Sequence, residues 1–180
     1  MRVETNIFIS TNLLKILTFL AQNAEKEFIG SDIRKATGIS RAGVYLSLRR
    51  LKKQELVNTQ HKGRLTIYSL AVTNPVIKQF KVLTTVLLLN KLIFKLKPVA
   101  NRIILFGSSA RGEDYSDSDI DLFVLAKDTS AVKEVFVSYK SKRKLQPLIQ
   151  TPVGFIDFKD KEKVYYNEIA TGITLGENIE

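Results

Sequence analysis

Asp119 and Asp121 stand two positions apart, ten residues beyond Gly107-Ser108, within the stretch "FGSSARGEDYSDSDIDLF". Residues two apart in a strand point the same way, so the pair presents two carboxylates on one face while Ile120 and Leu122 point to the other. Like charges held together repel unless something cationic bridges them. Hard divalent ions with oxygen ligands, Mg²⁺ first, suit such a pair. Just upstream, the apolar run Ile103 to Phe106 ends abruptly in Gly107, Ser108 and Ser109. That pattern predicts a buried strand turning into a short helix, and the backbone N–H groups of such a turn form a cradle for phosphate.

The segment "GSSARGEDYSDSDIDLFV" resembles the signature of the DNA polymerase β nucleotidyltransferase superfamily, and within it the minimal nucleotidyltransferases: Gly-Ser, ten residues, then Asp-x-Asp. The resemblance covers about residues 100 to 175. It implies that Gly107 and Ser108, with Ser109 and Arg111 beside them, hold a nucleoside triphosphate, ATP first. It implies that Asp119 and Asp121 are the catalytic pair and bind Mg²⁺ ions. An acceptor hydroxyl then attacks the α phosphorus and pyrophosphate leaves, in a two-metal arrangement that stabilises the entering and leaving oxygens. Arg111 suits a phosphate contact or an ion pair with a nearby acid, and Glu113, Asp114 and Asp117 suit shaping of the turn.

One departure stands out. Active members place a third carboxylate on a later strand, expected here over Lys144 to Thr151, yet that stretch offers only Gln146 and Gln150 as polar positions. Asp157 and Asp160 follow in what looks like the approach to a final helix. A glutamine neither takes a proton nor adds negative charge, and a general base contributes roughly 10²- to 10⁴-fold.

The elements that must position these residues follow from the same pattern. Strands at Ile103–Phe106, Leu122–Leu125 and 144–151, with an amphipathic helix over Ser130–Lys140, predict an α+β domain, residues 100–180, with a mixed sheet and flanking helices.

The rest of the chain has a different charge. Of the 180 residues, 1–100 carry 17 Lys+Arg against 5 Asp+Glu, or +12, whereas 101–180 carry 11 against 13, or −2. Such asymmetry suggests a polyanion-binding module joined to something different. Within the basic half, Ser10 can cap a helix with Leu13, Leu14, Ile16, Leu17 and Leu20 at helical spacing. Ser31 can cap a second helix over Asp32–Thr37, and Ser40 a third with Val44, Leu48 and Leu51 on one face. Strand-like runs Leu56–Gln60 and Leu65–Leu70 then flank a Lys62-Gly63-Arg64 turn, where Gly63 can supply a positive backbone angle.

Three helices and a basic hairpin, in this order, resemble the winged helix-turn-helix domain of bacterial and archaeal transcription regulators, over roughly residues 8 to 72. In that family the third helix enters the major groove and the wing touches the backbone. Carried over, duplex DNA would meet Ser40, Arg41, Ala42, Tyr45, Arg49, Lys52 and Lys53 of the helix and His61, Lys62 and Arg64 of the wing. Leu46 departs from the polar or basic residue usual there.

The expected organisation is a two-domain α/β chain: a winged helix-turn-helix over 1–73, a linking helix over 74–99 entered at Asn74-Pro75, and the transferase-like domain over 100–180. The linking helix is apolar on more than one side, which points to packing between the domains or against a second copy of itself in a homodimer. It is broken by Lys81, Lys91, Lys95 and Lys97, so no membrane span is expected. The N-terminus lacks a signal-peptide pattern. The absence of cysteine fits a reducing cytoplasm.

Three functions follow from these features: a DNA-binding protein that transfers a nucleotide to a protein or small-molecule acceptor, a transcription regulator whose transferase domain only senses nucleotide, or an antitoxin partner of a HEPN-family toxin.

Overall fold

The computed structural model describes residues 11–178, which fall into two compact units divided between Lys81 and Val82. The first comprises α1 (Asn12–Ala21), β1 (Phe28–Ile29), α2 (Gly30–Thr37), α3 (Arg41–Lys53), β2 (Val57–Lys62) and β3 (Leu65–Leu70). Thr11 caps α1, its hydroxyl accepting the Leu14 N–H at 3.3 Å, and Ser10 lies outside the described residues. The second helix begins earlier than expected. Ser31 lies inside α2, and the Asp32 carboxylate takes over the capping by accepting the Ile29 N–H at 3.3 Å. α3 starts where its sequence predicts, with the Ser40 hydroxyl accepting the Gly43 N–H at 3.2 Å.

Val44, Leu48 and Leu51 of α3 are buried against Ile16, Leu17 and Leu20 of α1 and Ile33 of α2. The hairpin pairs Val57 with Leu70 through Lys62 with Leu65, and Gly63 at its tip has φ 59°. The sheet order is β1-β3-β2, with β1 antiparallel to β3. At two residues, β1 is too short for alternation to announce it. Three helices followed by a twisted hairpin constitute a winged helix-turn-helix fold.

Helix α4 (Pro75–Leu96) is capped by Asn74, whose side-chain oxygen accepts the Val76 N–H at 2.9 Å. Its buried residues are divided between two cores. Ile77 and Phe80 pack into the first, and Leu89, Leu92, Ile93 and Leu96 into the second. No helix among the described residues is long and apolar enough to cross a membrane.

The second unit continues with β4 (Arg102–Phe106), α5 (Gly107–Arg111), β5 (Ile120–Leu125), α6 (Thr129–Ser138), β6 (Leu145–Gln150), α7 (Pro152–Lys161), α8 (Lys163–Ala170) and β7 (Ile173–Glu177). Its sheet order is β6-β5-β4-β7; β5 and β6 run parallel and the other pairs antiparallel. This is the mixed sheet with flanking helices expected from the sequence. The final strand β7 was not foreseen, because "ITLGE" lacks a sustained apolar run. α6 begins one residue early, since Asp128 accepts the Ser130 and Ala131 N–H groups at 2.8 and 3.2 Å.

Strand alternation sorts the core. Ile103, Leu105, Ile120, Leu122 and Val124 face α4 and α6, whereas Ile104, Phe106 and Phe123 face Phe155 and Phe158 of α7 and Ile169 of α8. Asp121, two positions before Phe123, therefore opens on the α7–α8 side.

Candidate active site

β4 carries the chain to Phe106, which pairs with Asp121 across the sheet. At Gly107 the backbone turns with φ 69°, a left-handed conformation that glycine alone adopts without penalty. A Cβ at Gly107 would also collide with the Asp121 carboxylate. The turn and the second carboxylate are thus in direct contact, and the missing side chain is what lets them meet.

The predicted residues do not all share one role. Gly107, Asp119 and Asp121 gather at the C-terminal end of β4 and the start of β5. Ser108 is the second residue of α5 and is partly exposed. Ser109 faces inward: it is fully buried and its hydroxyl lies 3.4 Å from a guanidinium nitrogen of Arg143. Arg111 takes the ion-pair option, with Nε 3.1 Å from Glu113 and a terminal nitrogen 3.9 Å from Glu168.

Arg143, which the sequence did not single out, organises the loop between the turn and the acids. Its guanidinium donates to Asp114 at 2.5 Å and to the Ser118 carbonyl at 3.3 and 2.8 Å. The Asp114 side chain is 5% exposed, so this acid shapes the turn from inside, braced by Arg143. The arginine lies 29 residues from Asp114, and no local spacing could have paired them.

Asp121 is raised above the ordinary carboxylate range, mainly by burial, then by the nearby charges of Asp119 and Glu168, with Arg111 acting in the opposite sense. Lys144 Nζ donates to Asp119 at 2.6 Å. β6 places Gln146 directly beside Asp121. Asp157 and Asp160 lie exposed on α7. Among the described residues no three or more His, Cys, Asp or Glu side chains form a cluster that could hold a metal. Two carboxylates do suit a single Mg²⁺, which keeps several waters and takes further oxygens from substrate phosphates.

A cleft of about 500 Å³ opens beside Asp121, lined by Phe106, Gln146, Leu148, Phe158, Glu162 and Tyr165 among others. Its volume is that of a small-molecule site. Glu162 and Tyr165 come from the junction of α7 and α8, whose fold-back is not legible in the local sequence.

In the first unit, Arg41, Tyr45, Arg49, Lys52, Lys53, Lys62 and Arg64 are all exposed. Ser40 is also at the surface, but its hydroxyl is engaged as the α3 cap. A groove of about 470 Å³ brings Arg41, Tyr45 and Arg64 together with Arg34, Leu65 and Tyr68. Arg49, Lys52, Lys53 and Lys62 lie outside it. Arg34, on α2, was not expected there. Burial, and secondarily Tyr45, pushes the Tyr68 hydroxyl above its ordinary pKa.

The family model described as polymerase beta, nucleotidyltransferase matches residues 89–180. Among solved structures, the chain is similar to the homodimeric winged helix-turn-helix DNA-binding domain of a possible ArsR-family transcriptional regulator from Mycobacterium bovis. The identity is 23%, covering 47% of this chain and 79% of that one, with a TM-score of 0.36. It is also similar to the adhesin competence repressor of Streptococcus pyogenes at 22% identity, covering 45% of this chain and 65% of that one, TM-score 0.36. No curated protein matches.

Proposed function

The chain belongs to the polymerase beta nucleotidyltransferase family, and on that footing we propose that it transfers a nucleotide from a triphosphate, ATP first, to a protein or small-molecule acceptor, with a DNA-binding domain in the same chain. The observation that carries this is the contact between the Gly107 turn and Asp121, with Asp119 two residues away.

Gly107 and Ser108 hold the terminal phosphates through backbone N–H groups. Asp119 and Asp121 would hold Mg²⁺, which would supply positive charge to neutralise the triphosphate and favour attack at the α phosphorus. The protein's own part is to orient: the Arg143 brace fixes the loop, and Gly107 keeps the carboxylates against the turn. The cleft beside Asp121 receives the acceptor or the nucleoside. Attack by the acceptor oxygen forms one P–O bond as the bond to pyrophosphate breaks, and the acceptor proton leaves to water.

The first unit holds duplex DNA through Arg41, Tyr45, Arg49, Lys52 and Lys53 of α3 and Lys62 and Arg64 of the wing, with the Arg34–Arg41–Arg64 groove on a phosphate run. Two copies pair through α4, which leaves Val76, Leu83 and Phe94 in solvent. Sedimentation of the Phe94→Glu variant as a monomer would support that pairing, and an unchanged dimer would remove α4 from it.

A second function, nucleotide sensing without transfer, is favoured by Lys144 on Asp119 and Gln146 beside Asp121, where a third acid would otherwise assist. Incubation with Mg²⁺ and each labelled triphosphate separates the two. Transfer gives pyrophosphate that the Asp119→Asn, Asp121→Asn double variant does not release, whereas sensing gives nucleotide binding alone.

A further inference from the structure

Lys144 immediately precedes β6, the strand that runs parallel to β5 with Leu145 beside Ile120 and Gln146 beside Asp121. Its Nζ lies 2.6 Å from Asp119 Oδ2, and the side chains are 74% and 30% exposed. The neighbouring strand therefore delivers to the two carboxylates one ammonium and one neutral amide. Asp119, Asp121 and Lys144 together carry a net charge of −1. One divalent ion suffices to neutralise what remains and to leave positive charge for a triphosphate. A second would have to stand beside the ammonium, where two cations a few ångströms apart repel strongly even in a partly solvated site.

We propose that Lys144 is the site's built-in second cation. It neutralises Asp119 in the free protein, turns its N–H groups to the phosphates when a triphosphate arrives, and restricts Asp119 and Asp121 to a single divalent ion. A lysine suits this role because its ammonium is a compact, mobile point charge on a flexible stem, able to exchange a carboxylate for a phosphate oxygen without moving the strand. The inference deepens the transferase function and rests on it for the identity of the anion, but the charge arrangement can be tested separately.

The test is titration of the full chain with Mn²⁺ alone, followed by the electron paramagnetic resonance of the free ion, for wild type and for Lys144→Gln, Lys144→Arg and Lys144→Glu. Removal of the ammonium in Lys144→Gln should tighten Mn²⁺ binding by at least about fivefold, because the ion no longer competes with a resident charge. Lys144→Arg should stay close to wild type, and Lys144→Glu should bind a second Mn²⁺. Unchanged or weaker Mn²⁺ binding by Lys144→Gln, or two ions on wild type, overturns the proposal. Because Lys144 is mostly exposed, its variants should fold, and the charge-preserving Lys144→Arg exposes any general effect of substitution.

A parallel pyrophosphate assay keeps the two claims apart. Tightened Mn²⁺ binding with no pyrophosphate from any triphosphate removes the transferase function and leaves the role of Lys144 at the ion site. Pyrophosphate release with unchanged Mn²⁺ binding removes only the role of Lys144.

Discussion

At the scale of single residues, the site sets carboxylate chemistry against stability. Asp121 is raised above its ordinary value of 3.8, chiefly by burial. An acid whose folded pKa exceeds its unfolded one contributes stability that is fully present below the unfolded value and is lost as pH rises through the folded one. At neutral pH, then, the ionised Asp121 of the metal-free protein burdens the fold. The Asp121→Asn variant cannot ionise, so its stability relative to wild type should grow as pH rises from about 4 to 7, read as the difference in denaturation midpoint. A difference that shrinks over that range would contradict the assignment. The pair itself was legible in the sequence from its fixed distance after Gly107-Ser108, although β5 begins only at Ile120 and Asp119 lies just before it. The ammonium on Asp119 was not, because Lys144 lies 25 residues away and only the parallel pairing of β5 with β6 brings it there.

At the scale of elements, the loop from α5 to β5 is held by a charge pair that joins it to the approach to β6. Truncating one member of a buried pair leaves the other charged and poorly solvated, which costs several kcal/mol when both are fully enclosed. Arg143 is 18% exposed and Asp114 5%, so a smaller loss of about 2–3 kcal/mol is expected for Arg143→Met. The Arg143→Met, Asp114→Asn double variant should recover part of that loss, and the denaturation midpoints of these two and of the Asp114→Asn single variant form the cycle. Equal losses in the single and double variants would remove the pair from its bracing role. Helices with side-chain caps were the easiest elements to place, as at Ser40 and Asn74, where the capping oxygen is local. α2 was misplaced by its start because Asp32 reaches back to cap Ile29, so Ser31 was a false signal. β7 and the fold-back of α7 on α8 depend on pairing with β4 and on the Phe123–Phe155 cluster, which are contacts distant in sequence.

At the scale of the whole molecule, the first unit, residues 1–81, carries 14 Lys+Arg against 5 Asp+Glu, or +9, whereas residues 82–180 carry 14 against 13, or +1. Most of the affinity for duplex DNA should therefore come from counterion release by the first unit and fall steeply with salt. Arg41→Ala and Arg64→Ala should each reduce the slope of log affinity against log salt by about 1. Ser40→Ala should leave that slope alone and cost about 1 kcal/mol of stability, because its hydroxyl serves as the α3 cap. A reversed pattern would move the DNA contact from the arginines to the helix start. The two-domain plan was legible because helical and strand periodicities differ along the chain, and the apolar positions around α4 announced a helix buried on more than one side, without saying which of them join which core. The central claim is nucleotide transfer, and it is tested most directly by pyrophosphate release in Mg²⁺ with each triphosphate. Wild type is expected to release it with at least one nucleotide, at least about 100-fold faster than the Asp119→Asn, Asp121→Asn double variant; equal release by both, or none from wild type, would contradict that claim.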